Sequence, residues 1–140
     1  MHLICTQDNR VRPLEKPLIK INKDMKVKKM NKFVLFITNG FAAGITLVPF
    51  GIYIKEKYYN FQSHKMIKKL INHERIHERQ QKEMLIIPFY IWYLLEWLVR
   101  LITNPGNAYK SISFEREAKE NEHNKEYLEK REKFSWIKYI

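Results

Sequence analysis

Five consecutive residues near the middle of the chain have types and spacing that suit metal chemistry: His73-Glu74-Arg75-Ile76-His77, an H-E-x-x-H pattern. Two histidines four positions apart project from the same face of a helix, so their imidazoles can bind one metal ion together. The glutamate beside the first histidine then lies next to the ion, where it can take a proton from a metal-bound water. Zinc would lower the pKa of that water to about 7 and would polarise a scissile carbonyl.

The H-E-x-x-H pattern has this meaning only in a helix, and the flanking residues predict one from Ser63 to about Ile87. Ser63 is a suitable N-cap, and apolar side chains recur along one face. Without a metal, the same residues would form a solvated face of Glu, Arg and His. Gln80 and Gln81 follow on the next turn, where they can hydrogen-bond within the site or face solvent.

A catalytic zinc needs a third protein ligand and an open fourth position. A later helix, predicted to begin at Ser111 or Ser113 and to run towards Arg131, carries the sequence FEREA at 114–118. With these residues the chain resembles the gluzincin metallopeptidases, whose third ligand is a glutamate in an E-x-x-A/S-D pattern. The resemblance covers residues 64–123 and implies that Glu115 is the third ligand. Ala118 matches the small residue, which lets the two ligand helices approach closely.

The chain departs from the gluzincin pattern at Lys119, where the family has an aspartate that supports a ligand histidine. Support for the histidines must then come from another residue, and Glu117 and Glu122 are candidates. Glu117 is also the main alternative to Glu115 as the metal ligand, and His123 is a more distant one.

The order of the parts is similar to that of membrane-bound gluzincins related to the prenyl-protein and heat-shock proteases, and to compact single-domain gluzincins. In each, an H-E-x-x-H helix precedes a helix that bears the glutamate ligand. The resemblance also implies a Tyr, His or Arg that stabilises the oxyanion near the metal. Tyr109, His123 and Tyr127 are the candidates in this chain.

Residues 33–54 carry no charge, and their length suits a bilayer span. An alternative is two buried strands around 33–38 and 45–55, because the segment is interrupted by Asn39, Gly40, Gly44, Pro49 and Gly51. Both interpretations stay open at this point. A cleaved signal peptide is not expected, since the stretch before the segment is too long.

A second apolar segment, 84–102, contains five aromatic residues among aliphatic ones. Pro88 is expected to kink or end the preceding helix, after which a very apolar helix follows. At helical spacing these residues can build a core or enter a membrane interface. Glu96 and Arg100 lie four positions apart, so they can pair with each other, and 104–107 (NPGN) predicts a turn.

The 140 residues are 45% apolar, which is enough to form the core of one domain. Residues 1–32 hold nine basic and three acidic side chains, so most of the net charge of +11 lies in this segment. Such a lysine-rich arm suits a solvated tail or a contact with anionic lipids. Nucleic-acid binding is not expected, since no base-reading motif is present. The single cysteine excludes an intrachain disulfide.

The sequence therefore predicts a mainly α (α+β) fold in which the H-E-x-x-H helix, the apolar helix and the Glu-bearing helix pack together. We expect a basic mobile arm at 1–32 and one metallopeptidase-like domain at 33–140. The predicted function is zinc-dependent hydrolysis of peptide bonds in a peptide or protein substrate, with Glu74 as general base. The alternative is a non-catalytic metal-binding protein. Membrane contact is expected through 33–54 and 84–102, in a membrane-associated or cytoplasmic protein.

Overall fold

The computed structural model of the chain describes residues 25–38, 42–60 and 64–140. Within these residues the fold is mainly helical with one small sheet, so the predicted class is confirmed. The strands are β1 (Val27–Lys29), β2 (Gly44–Leu47) and β3 (Gly51–Ile54). The helices are α1 (Lys32–Ile37), α2 (Glu56–Asn60), α3 (His64–Met84), α4 (Ile86–Thr103), α5 (Ser113–Asn121) and α6 (Tyr127–Lys130).

The sheet has the order β1-β3-β2, with β1 parallel and β2 antiparallel to the central β3. Ile52 and Ile54 of β3 are fully buried, which fits the central position of their strand. Strand β1 lies inside the stretch that the sequence predicts to be a mobile arm, so the folded part begins before residue 33. Residues 1–24 of that arm lie outside the described residues.

The prediction of a strand at 33–38 is wrong, because this stretch forms helix α1. The Asn31 side chain caps α1 by accepting a hydrogen bond from the Val34 amide at 2.9 Å. The predicted strand at 45–55 is instead the antiparallel pair of β2 and β3. Residues 33–54 therefore do not form one continuous helix of the kind that a bilayer span would need.

The turn between β2 and β3 ends at Gly51, whose φ of +143° lies in a region that favours glycine. A Cβ atom at this position would also lie 3.0 Å from the Lys26 carbonyl oxygen. The close approach of β1 to β3 thus depends on the missing side chain.

Helix α3 ends at Met84, four residues before the proline that was expected to end or kink it. The break between α3 and α4 lies at Leu85, which has a positive φ of 66°. Pro88 instead occupies the first turn of α4, where its missing N–H removes no intrahelical hydrogen bond. The predicted N-cap, Ser63, lies outside the described residues.

The C-terminal third packs onto α4 through a cluster of buried apolar side chains. Its members are Phe89, Ile112, Phe114 and Trp136. Trp136 belongs to a short 3₁₀ helix, Ser135–Tyr139, which brings the C-terminal residues back onto this cluster. The predicted turn at 104–107 is also present, and it contains the 3₁₀ helix Pro105–Asn107. Helix α5 is shorter than predicted, because it ends at Asn121 and α6 follows separately.

Candidate metal centre

Helix α3 projects His73 and His77 from one face, as their spacing predicts. The two Nε2 atoms lie 3.1 Å apart. Glu115 approaches them from α5: its Oε2 lies 3.5 Å from His73 Nε2, and its Oε1 lies 3.4 Å from His77 Nε2. These three side chains form the His-His-Glu group that the resemblance implies, with ligand atoms all within 4.8 Å of one another.

Helix α4 fixes the start of α5, and with it the position of Glu115. The Glu96 carboxylate accepts hydrogen bonds from the backbone N–H of Ser113 at 2.8 Å and from its hydroxyl at 2.6 Å. One turn earlier on α4, the Tyr93 hydroxyl donates to Glu115 Oε1 at 2.9 Å. Glu96 also pairs with Arg100 at 3.2 Å, as the sequence predicts.

The distances within the His-His-Glu group fit a tetrahedral ion. Zinc bonds of about 2.0–2.2 Å to nitrogen and oxygen place neighbouring ligand atoms of a tetrahedron about 3.3–3.6 Å apart. The two Nε2 atoms lie 3.1 Å apart, and Glu115 presents Oε2 to His73 at 3.5 Å and Oε1 to His77 at 3.4 Å. These separations lie close to the tetrahedral range, with a different carboxylate oxygen toward each histidine. Three protein ligands leave the fourth position of such an ion for water or substrate.

The protonation of the two imidazoles also favours a cation between them. His73 Nδ1 faces Glu122 Oε2 at 3.2 Å, and His77 Nδ1 faces Gln80 Oε1 at 2.7 Å. Both partners are acceptors, so each Nδ1 carries the proton and each Nε2 presents a lone pair. The two Nε2 lone pairs therefore converge on the Glu115 carboxylate, whose Oε1 also accepts from the Tyr93 hydroxyl. A metal ion bound between these groups would take all three as ligands.

His77 and Glu115 lie side by side, and each shifts the pKa of the other. Burial alone would lower the pKa of His77, but the Glu115 carboxylate beside it raises the value to about 9. Burial would likewise raise the pKa of Glu115, but His77 and hydrogen bonds from both histidines hold it well below its usual range. The Glu115 carboxylate and the His77 imidazole therefore stabilise each other's charged forms.

The orientation of His77 depends on a buried network that begins at Gln80. The amide nitrogen of Gln80 donates to the Phe114 carbonyl at 3.2 Å and to Glu117 Oε2 at 3.0 Å. Since both of these atoms only accept, the amide oxygen must face His77. Glu117 is held in turn by Arg131, whose Nε lies 2.5 Å from Oε1. The network therefore fixes the tautomer that leaves His77 Nε2 free for a metal.

Glu122 has the corresponding place beside His73. Its other oxygen, Oε1, lies 3.0 Å from Lys69 Nζ and 2.9 Å from Lys119 Nζ. Burial opposes ionisation, but hydrogen bonds from these two lysines lower the pKa of Glu122, so it remains a carboxylate. Lys119, which replaces the aspartate of the gluzincin pattern, thereby anchors the residue that contacts the histidine.

Glu74 lies beside the metal-ligand group but is not one of its three members. Its carboxylate is buried, and burial raises its pKa, as suits a group that must exchange a proton near neutrality. The Thr46 hydroxyl of β2 lies 2.9 Å from Glu74 Oε2. On the other side, a Cβ atom at Gly44 would meet Glu74 Oε1 at 2.6 Å, so only glycine leaves room for the carboxylate.

Two cavities, of about 240 and 290 Å³, meet at the metal-ligand group. The first lies on the His77 side and is largely apolar, with Phe89, Tyr90 and Tyr93 of α4 in its wall. The second lies on the His73 side and includes Lys110 and Lys119. Both cavities share the residues Gly44, Glu74, Tyr109 and Glu115.

The remaining candidates from the sequence lie in other positions. Tyr109 lines both cavities, whereas the Tyr127 hydroxyl donates to Glu117 Oε1 at 2.9 Å and the residue lines neither. Glu117, the alternative ligand, is fully buried in the network with Arg131. His123 is exposed, and its Nε2 lies 3.8 Å from Glu122 Oε1. Neither Glu117 nor His123 belongs to the group of three ligand atoms.

Several residues that shape the site were missed by the sequence analysis. Thr46 and Gly44 lie on β2, far from α3 in sequence, and Tyr93 was considered only as a core or membrane residue. Gln81, for which both a site role and a solvent-facing role were left open, is buried. Its Nε2 donates to the Thr46 carbonyl at 2.9 Å. Only a contact map could have linked these residues to the histidines.

No family model, curated protein or solved structure matches this chain. The site is therefore interpreted from its own geometry.

Proposed function

We propose that this chain is a zinc-dependent peptidase in which His73, His77 and Glu115 hold the metal. The convergence of the two Nε2 lone pairs on the buried Glu115 carboxylate carries this proposal, because it favours a bound cation. A structural zinc site is closed, with four protein ligands and no open position. The cavities on both sides of this group are instead typical of a site that water or substrate can reach. The location of Glu74 next to this opening supports a hydrolytic role.

A bound zinc ion would supply Lewis acidity, which acidifies a water and polarises a carbonyl. The chain's own contribution begins with Glu74, whose carboxylate accepts the proton of the attacking water and delivers it to the leaving amine. Burial favours this exchange because it raises the pKa of Glu74. The Thr46 hydroxyl, 2.9 Å from Oε2, holds the carboxylate in place during both transfers.

An extended peptide can be positioned by the free edge of β2. The Lys55 amide donates to the Ala43 carbonyl at 3.1 Å, so residue 43 faces β3. Because peptide groups alternate along a strand, those of Gly44 and Thr46 point to the opposite edge. The Thr46 carbonyl is bonded to Gln81, whereas Gly44 borders both cavities. A substrate strand added beside Gly44 would run along the two cavities that Gly44 borders.

Tyr109 is the residue best placed to stabilise the oxyanion. It lines both cavities, and 55% of the residue is exposed. Desolvation of the hydroxyl and the Glu115 carboxylate beside it nevertheless raise its pKa above the usual value. The phenol therefore stays protonated and can donate a hydrogen bond to negative charge on a substrate oxygen.

The test of the proposal is the variant Glu74→Gln, which keeps the shape of the side chain but cannot accept a proton. We expect hydrolysis of a diverse peptide library, followed by mass spectrometry, to fall about 10²- to 10⁴-fold while zinc content stays stoichiometric. The matched control is Glu78→Gln, since Glu78 is also buried and lies one turn further along α3. Unchanged activity in Glu74→Gln, or an equal loss in Glu78→Gln, would contradict the assigned role.

A second candidate is a metal-stabilised protein without catalysis. Its supporting observation is that the His-His-Glu group ties α3 to α5, so a metal would stabilise the fold directly. Protein that holds zinc, gains thermal stability from it and cleaves no member of the library would favour this candidate.

A further inference from the structure

Helix α4 presents a broad apolar surface to solvent, although it is the more apolar of the two long helices. It is long and apolar enough to cross a membrane, and Phe89 is its only buried residue. Ile102 is 85% exposed, and Leu95 is 54% exposed. The exposed apolar face, as we call it, consists of Ile87, Tyr90, Ile91, Trp92, Leu94, Leu95, Leu98, Val99, Leu101 and Ile102.

The angular positions of these residues separate the helix into two sides. At about 100° per residue, the exposed apolar face spans about 200° and is centred near Ile91 and Leu98. The opposite side carries Phe89 and Tyr93, which pack against Phe114. The two charged residues of α4, Glu96 and Arg100, also lie on this protein-facing side and pair there, so the exposed apolar face carries no charge.

Tyr90 and Trp92 lie at the two edges of the exposed apolar face, each about 100° from Ile91. Tyr and Trp favour the headgroup level of a bilayer, where one end of the ring is apolar and the other is hydrated. A helix that lies in the membrane plane, with Ile91 pointing into the acyl chains, places both edges at this level.

Two observations favour a lipid surface over a second copy of the chain. A face of about 200° is much wider than the seam that a packed helix pair covers. In addition, the chain carries a net charge of +11, which attracts anionic lipid headgroups and repels another copy. The protein-facing side is anchored by the cluster with Phe114 and Trp136, so α4 stays attached to the domain when it meets a membrane.

We propose that α4 lies in the plane of an anionic lipid bilayer and buries its exposed apolar face there. This inference is independent of the peptidase proposal, since no residue of the exposed apolar face belongs to the His-His-Glu group. The cavity wall formed by Phe89 and Tyr90 belongs to the first turns of the same helix, so the candidate site lies next to the membrane surface.

The experiment is co-sedimentation of the full chain with vesicles of phosphatidylcholine and phosphatidylserine, compared with vesicles of phosphatidylcholine alone. We expect stronger binding to the vesicles that contain phosphatidylserine. Leu95→Glu should weaken binding about tenfold or more, because an exposed leucine that lipid would cover is replaced by a charge. The matched control is Met66→Glu on α3, where the residue is 50% exposed, and it should bind like the wild type.

A second measurement follows tryptophan emission, which should shift to the blue when vesicles are added and should lose most of that shift in Trp92→Phe. Equal binding by Leu95→Glu and Met66→Glu, or binding that ignores phosphatidylserine, would overturn the proposal. A wild-type dimer in light scattering that Leu95→Glu dissociates, without vesicle binding by the wild type, would assign the exposed apolar face to a second copy instead.

Discussion

Replacing Gln80 with methionine removes the acceptor for His77 Nδ1 while keeping a side chain of similar length. The hydrogen bond lost is short, 2.7 Å, and fully buried, and it is the contact that fixes the tautomer of His77. Loss of such a partner of a metal-ligating histidine costs about 10- to 100-fold in metal affinity, or about 1.4 to 2.7 kcal/mol. We expect the loss of zinc affinity in Gln80→Met to lie in the upper half of this range, because Gln80 is the acceptor that His77 Nδ1 has among the described residues.

The same substitution also affects stability, which must be separated from metal affinity. Glu117 Oε2 and the Phe114 carbonyl each lose one donor in Gln80→Met, although Arg131 Nη2 still donates to Glu117 Oε2 at 3.2 Å. We expect a cost of about 1–3 kcal/mol in the free energy of unfolding. Gln81→Met is the matched control, because Gln81 is equally buried and bonds to Thr46 and Val48 but to neither histidine. We expect it to lose comparable stability and to keep wild-type zinc affinity.

The assay is competition for zinc against a chromophoric chelator, with thermal unfolding of the metal-free proteins measured in parallel. Support for the reasoning requires that zinc affinity falls in the Gln80 variant alone, while the two melting temperatures fall together. Zinc affinity within about twofold of wild type in Gln80→Met would refute the role of the amide oxygen. An equal loss of affinity in the Gln81 variant would show that general loosening, rather than the His77 contact, weakens the metal.

Further predictions concern the same site. Glu115→Gln should lose stoichiometric zinc in elemental analysis, whereas Glu117→Gln should keep zinc but unfold at lower denaturant, because a buried ion pair is broken. Gly44→Ala should abolish peptide hydrolysis without metal loss, because the added Cβ would displace Glu74 Oε1. In chelator-treated protein, protonated His77 stabilises the folded state, because its pKa is higher there than in the unfolded chain. This contribution is fully present below the pKa of histidine in the unfolded chain, about 6.5. That contribution should disappear as pH rises through about 9. A melting temperature of the chelator-treated protein that does not fall across this interval would contradict the prediction.

The sequence predicted the chemical centre better than its surroundings. His73 and His77 share a face because the helix period is fixed, and that consequence needs no tertiary information. Glu115, in contrast, was assigned only by the resemblance to the gluzincin E-x-x-A/S-D pattern. Thr46 and Tyr93 could not be found in this way, because their contacts with Glu74 and Glu115 span 28 and 22 residues.

The errors of the sequence analysis have physical causes as well. The apolar, β-branched stretch at 33–38 favours a strand by composition, but the Asn31 cap and the burial of Val34 select helix α1. Pro88 was expected to break a helix, yet a proline is equally compatible with a first helical turn. The break between α3 and α4 lies at Leu85, which has a positive φ. Leucine is not a residue type that indicates such a conformation, so no signal for it was present in the sequence.

The bond between Glu96 and Ser113 has a consequence for how this protein can respond to its surroundings. The first residue of α5, Ser113, is hydrogen-bonded to the Glu96 side chain of α4. One turn earlier on α4, the Tyr93 hydroxyl donates to the Glu115 carboxylate. A tilt of α4 is therefore transmitted to a metal ligand through two hydrogen bonds. Because such coupling is reciprocal, a change that reorients α4 would alter the affinity of the proposed site for a metal ion, and a bound ion would in turn restrict the orientations of α4.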